Sequence, residues 1–230
     1  MIKSESKYKK KIYYDLRLND YLYKVYKYMF ISFLFTIIIS LLISSSQKIT
    51  YIIHYTPIKI LVSFIPFIVT FNLNYFFMRM SKIQTKLYLV FFSFFMALPI
   101  SSIFLLLYHS SVMRILFIVI ITFIIISFYS IYNKRNFLSI GYIINATIVG
   151  LFIASFMNVI LKSSIIHFIS TTVGMIVFIF LILHDTQKIK ELYYKQNAIY
   201  LLVIYGSLII YMNFLNFFIS FLQLFGVKKK

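Results

Sequence analysis

The stretch FIFLILHDTQKIKELYY, residues 178–194, opens as an apolar run and closes in charge. Asp185 stands at the inner edge of that run, before Lys188, Lys190 and Glu191 signal water. The chain carries 5 acidic residues against 23 basic ones, so a carboxylate in this position needs a reason. On insertion scales an acidic residue at a membrane-helix centre costs roughly 2.5–3.5 kcal/mol, and less toward the interface.

That this run belongs to a membrane helix follows from the rest of the chain. Of its 230 residues 62% are hydrophobic, and the mean hydropathy is +0.93. Soluble domains sit near half apolar. A spanning helix takes roughly 20 mostly apolar residues. Seven stretches qualify, at about 29–46, 57–78, 86–108, 113–132, 139–161, 164–187 and 199–226. The connections are short, which predicts one seven-helix bundle over residues 28–227. A basic tail precedes it at residues 1–27, solvated and partly disordered, and a second basic tail, 228–230, follows it. The long polar lead argues for an uncleaved first helix rather than a secretory signal.

A net charge of +18 raises the question of nucleic acid. The basic residues lie between and before the apolar runs, which is the positive-inside pattern and not a nucleic-acid face. Most Lys and Arg fall on the side of the N-terminus, so that end is expected in the cytoplasm. The closing KKK disagrees with seven spans, and leaves a re-entrant last segment as the alternative. There is no cysteine, hence no disulfide or thiolate metal site. No HExxH, GxGxxG, P-loop or Ser/His/Asp arrangement supports an enzyme.

The polar residues inside the runs are the candidates for function. His167 and Asp185 are five helical turns apart, so they share a face with Gly174 near it. On the last run Asn213, Asn216, Ser220 and Gln223 form one stripe at spacings of 3, 4 and 3. Lipid cannot satisfy such a stripe, which predicts that the other six helices enclose this one. Asn216, Ser220 and Gln223 read individually as interhelical glue. Asn145 and Asn158 read as interhelical donors, and Gly150 with Ala154 as a small-residue packing contact. Two readings of Asp185 stay open. It can lie among headgroups, paired with Lys188 or Lys190, or it can be buried facing Asn213. The midpoint of 185 and 213 is 199, just past the polar stretch KQNA, where a hairpin turn would bring both to one depth.

HDTQKIKELYY followed by YMNFLNFFISFLQLFG (211–226) resembles the Bax inhibitor-1 family, in its bacterial type. The family pattern is tyrosine or tryptophan, then D-T-Q-[KR]-I, and later Y-L-D-F-I-N-L-F. RMS at 79–81, SSIFL at 101–105, SVMRILFI at 111–118, NKRNFLSIG at 133–141 and IASFMNVILKSS at 153–164 extend the likeness over about residues 75–226. The resemblance implies a seven-helix bundle of the inner membrane and a pH-sensitive calcium leak, with calcium as cargo and no cofactor. It implies a pair of aspartates as proton sensor. The first falls on Asp185, which is also a calcium-ligand candidate. The second falls on Asn213, which cannot titrate. An arginine latch on the second helix falls nearest Arg79. The rival implication, from the bacterial relatives, is a non-conducting protein that binds a membrane protease.

Overall fold

The computed structural model describes residues 2–56, 80–132, 137–195 and 199–229. They form helix α1 (Ile2–Ser45), a short α2 (Gln47–Tyr55), α3 (Lys82–Leu106) and α4 (His109–Tyr132). A 3-10 turn at Leu138–Ile140 leads into α5 (Gly141–Leu161), then α6 (Ser164–Lys195) and α7 (Ile199–Phe225). Six helices among the described residues are long and apolar enough to cross a membrane. They match six of the seven expected runs. The second run, 57–78, lies outside the described residues, and α2 was not anticipated.

The expected tail is corrected in part. α1 runs unbroken from Ile2, and Tyr21, Leu22, Val25 and Met29 are buried in the core. Their spacing is a helical stripe. Asp20, Lys24 and Lys27 on the other faces dilute its hydropathy, which is why a window average starts the helix too late.

α7 is the most buried span. Inside the bundle lie 72% of its most apolar window, against 6–44% for the other five. α1, α3, α4 and α6 pack against it, while α5 packs mainly along α6. Aromatic contacts hold the centre, with Phe214 meeting Phe33 at 4.4 Å and Phe123 at 4.2 Å between ring centroids. Hydroxyls stitch the helices where lipid leaves no other partner. Thr36 Oγ1 bonds the Ser93 carbonyl at 3.0 Å and Tyr211 Oη at 2.7 Å. Ser207 Oγ donates to the Val25 carbonyl at 2.9 Å. Gly206 permits the close approach there, since a Cβ would sit 3.3 Å from both Ile189 and Val25 methyls.

Ser40 bonds the Ala97 carbonyl as Thr36 bonds that of Ser93, so α1 and α3 advance together and run parallel. α6 and α7 run antiparallel. α7 is one helix of 27 residues, about 40 Å long, which is long enough to cross a membrane. Beyond it Val227 and Lys229 pair with the α3–α4 connection: Tyr108 N–H donates to Val227 O at 3.0 Å and Lys229 N–H to Leu106 O at 2.9 Å.

Two packing expectations change. Gly150 is exposed with open space where its side chain would be, so it makes no small-residue contact. Asn158 caps its own helix end, accepting from Ser163 N–H at 2.9 Å, while Lys162 turns the chain in the left-handed region at φ 50°. Asn145 is exposed.

Candidate functional site

Successive helical residues point about 100° apart, so four in a row look in every direction around the axis. In the C-terminal half of α6 the four are His184, Asp185, Thr186 and Gln187, and each meets a different element. The His184 ring lies against α5, where a Cβ on Gly141 would come within 2.6 Å of Nε2. Asp185 faces α7. Tyr26 on α1 and Thr186 share a hydrogen bond of 2.8 Å between hydroxyls. Gln187 Oε1 accepts from Phe137 N–H at 2.7 Å, ahead of the 3-10 turn. One turn on, Lys190 Nζ donates to the Ser130 carbonyl at 3.2 Å and to that of Ile131. These are the last carbonyls of α4, the helix end where a cation is favoured. Ser130 Oγ in turn donates to Leu183 O at 3.2 Å.

Asp185 is 9% exposed and Asn213 is 7% exposed. Asn213 Nδ2 donates to Asp185 Oδ2 at 2.8 Å. His184 Nδ1 meets Asp185 Oδ1 at 2.8 Å. An ionised Asp185 fixes the imidazole with its proton on Nδ1, and each carboxylate oxygen then has a donor. Two charge-assisted hydrogen bonds offset part of the cost of taking the carboxylate out of water. Of the two readings left open by the sequence, the buried pairing with Asn213 is the observed one. Lys190 serves α4 instead, and Tyr205 is a further neighbour of the carboxylate.

The remaining stripe lies elsewhere. Asn216, Ser220 and Gln223 line a cavity of about 710 Å³ between α5, α6 and α7, with Asn158, His167, Thr171 and Gly174 opposite. Ser220 is buried, but Gln223, close to the end of α7, is exposed. Among the described residues the lining holds no carboxylate, and it ends at Phe178 and Asn216, short of Asp185 and Asn213. His167, expected to share the face of Asp185, belongs to this cavity. Arg79 lies outside the described residues. Among the described residues no three His, Asp or Glu side chains converge as a metal set.

Sequence reasoning missed His184, Thr186 and Lys190 as structural partners. The signal available was the density of hydrogen-bonding side chains in one turn of an apolar helix.

A family model described as "Inhibitor of apoptosis-promoting Bax1" matches residues 18–230. The chain is 29% identical over 222 residues to the uncharacterized protein RP147 of Rickettsia prowazekii, covering 94% of this chain and 93% of that protein. It is 28% identical over 156 residues to the inner membrane protein YbhL of Escherichia coli K12, covering 66% and 67%. A third relative, YrjE of Lactococcus lactis, is 33% identical over 104 residues, 44% of each chain.

Proposed function

The chain belongs to the Bax inhibitor-1 family, and from that premise we propose that this multi-pass membrane protein is a pH-sensitive cation leak of the inner membrane. In this reading Asp185 is the gating carboxylate, Asn213 its partner, Arg79 a latch, and calcium the cargo. The observation that carries it is the 2.8 Å hydrogen bond from Asn213 to Asp185. It ties the most buried helix to α6 through a group that can gain or lose a proton. A proton on Asp185 removes an anionic acceptor, weakens the ties to Asn213 and His184, and frees α7 to move against α6. Calcium takes six to eight oxygen ligands. Asp185 and Asn213 supply fewer, which suits passage better than residence.

We further read seven spans, with the last enclosed by the rest and the N-terminus in the cytoplasm. The parallel course of α1 and α3 supports the count, because the chain must return across the membrane between them. The placement of Lys and Arg supports the orientation.

The test is calcium flux into proteoliposomes at stepped pH. Asp185→Asn is expected to flatten the pH dependence. A pH profile unchanged by that substitution removes Asp185 from the gate.

One observation favours a second reading, a non-conducting protein that binds a membrane protease: the polar cavity stops short of Asp185. Absence of flux at every pH, with a protease co-purifying only when residues 1–16 are present, would decide for it.

A further inference from the structure

At the inner end of the bundle, α1, α3 and α7 leave a cavity of about 400 Å³. Three lysines line it, Lys24 from α1 and Lys82 and Lys86 from the first turns of α3. Tyr28 and Tyr200 join them, over a floor of Ile199, Val203 and Ile204. Val203 and Ile204 are buried, while the three lysines are exposed. Among the described residues no acidic side chain is in the lining. Asp20, which pairs with Lys24 at 2.6 Å, sits on the exposed surface of α1.

Lys82 and Lys86 stand one turn apart, a like-charge pair that is unfavourable on its own. α3 and α7 both begin at this end, so two positive helix ends add to the field. Among the described residues the lining offers no anion to Lys82 and Lys86, and the cavity's shape says which kind would fit. Tyrosines at this level mark the membrane–water interface. The apolar floor offers nothing to a free oxyanion, but it suits the glycerol and first methylenes of a lipid.

We propose that this cavity seats the headgroup of an anionic phospholipid of the inner leaflet. The phosphate lies among Lys24, Lys82 and Lys86, and the acyl chains leave along Ile199 and Val203 toward the bilayer. The seat is independent of Asp185, and its success or failure does not bear on conduction.

The test uses the full-length protein in a neutral detergent. Its thermal unfolding midpoint is followed as phosphatidylglycerol, phosphatidylcholine or glycerol phosphate is added. The expected result is a rise with phosphatidylglycerol alone, with Lys82→Gln/Lys86→Gln binding that lipid about 30-fold more weakly, at ~1 kcal/mol per lysine. The rise should shrink as salt is added. Lys82→Arg/Lys86→Arg should keep it, and so should Lys162→Gln at the opposite end of the bundle. The glutamines replace exposed side chains, and an unchanged midpoint in phosphatidylcholine confirms an intact fold. If that midpoint falls, the arginine pair and Lys86→Gln alone carry the comparison. An equal response of wild type and glutamine variant to phosphatidylglycerol overturns the proposal. A full response to glycerol phosphate overturns the lipid as the source of the phosphate.

Discussion

If Asp185 and Asn213 satisfy one another, removing both should cost less than the sum of the two single losses. Asn213→Leu takes the donor from Asp185 Oδ2, which lies 2.8 Å from it in a site too dry for water to substitute. A buried polar group left without a partner costs about 1–3 kcal/mol, more when charged, so a loss of about 2 kcal/mol is expected. Asp185→Leu strands the Asn213 amide and His184 Nδ1 together, with a similar or larger cost. In the double variant only His184 is stranded, and replacing both partners of a bond by apolar groups can be nearly neutral. The expected coupling is about 1.5–2 kcal/mol. That exceeds the ~0.6 kcal/mol average for membrane-protein hydrogen bonds and lies near the ~1.7 kcal/mol maximum. The excess is expected because the acceptor is a carboxylate. The assay is reversible unfolding in mixed micelles as the fraction of denaturing detergent is raised. Additive losses, within about 0.5 kcal/mol, would refute the pairing as an energetic link.

Four further outcomes follow, three of them from positions away from this pair. Gly206→Leu should destabilise by at least about 2 kcal/mol, because its side chain must enter a space already closed at 3.3 Å by Ile189 and Val25. Gly150→Ala, where nothing lies within 4 Å, should be neutral or gain up to about 1 kcal/mol, and the same detergent titration compares the two. Lys190→Met should cost about 1–2 kcal/mol through the uncapped end of α4, seen as faster hydrogen exchange at residues 128–132. Asn213→Asp should place two carboxylates in contact, where they share a proton. Folded protein then binds more protons than unfolded, so stability of that variant should rise as pH falls, opposite in sign to a salt-bridged carboxylate, and its calcium flux should turn on at higher pH than in the native protein.

The helices were legible because hydropathy over a span is a sum, and one polar residue hardly changes it. The Asp185–Asn213 pairing was legible because a hairpin fixes depth by index, and both residues stand far enough from its turn to lie in the bundle. What stayed hidden depends on azimuth and on neighbours distant in sequence. Tyr21 to Met29 form a core stripe whose intervening charges cancel its average. Gly150 is spaced for packing, yet α5 turns that face outward. Lys190 looks like interface charge from its neighbours in sequence, and only the position of α4 reveals its carbonyl partners. Asn158 carries an interhelical donor's chemistry but spends its oxygen on its own helix end.

The placement of Asp185 at the inner edge of its run now has a physical cause, and it limits how a leak could work. The carboxylate sits where α6 meets α1, α5 and α7 within one turn, the depth at which most hydrogen-bonding partners converge. The open polar space lies at another depth and ends at Phe178. From Phe178 to Asp185 is seven residues, about 10 Å along the axis. At that depth Leu181 and Ile182 of α6 and Phe217 of α7 are buried. A cation crossing this layer meets no oxygen from those side chains. Loosening one hydrogen bond at Asp185 therefore does not open a path by itself. It must let α7 rotate or slide until the Phe217 rung leaves the gap. Shrinking that rung, as in Phe217→Ala, should raise flux at all pH values, whereas Asp185→Asn alters only its dependence on pH. If Phe217→Ala leaves flux unchanged while Asp185→Asn abolishes its pH response, the ions pass the carboxylate by another route than the cavity.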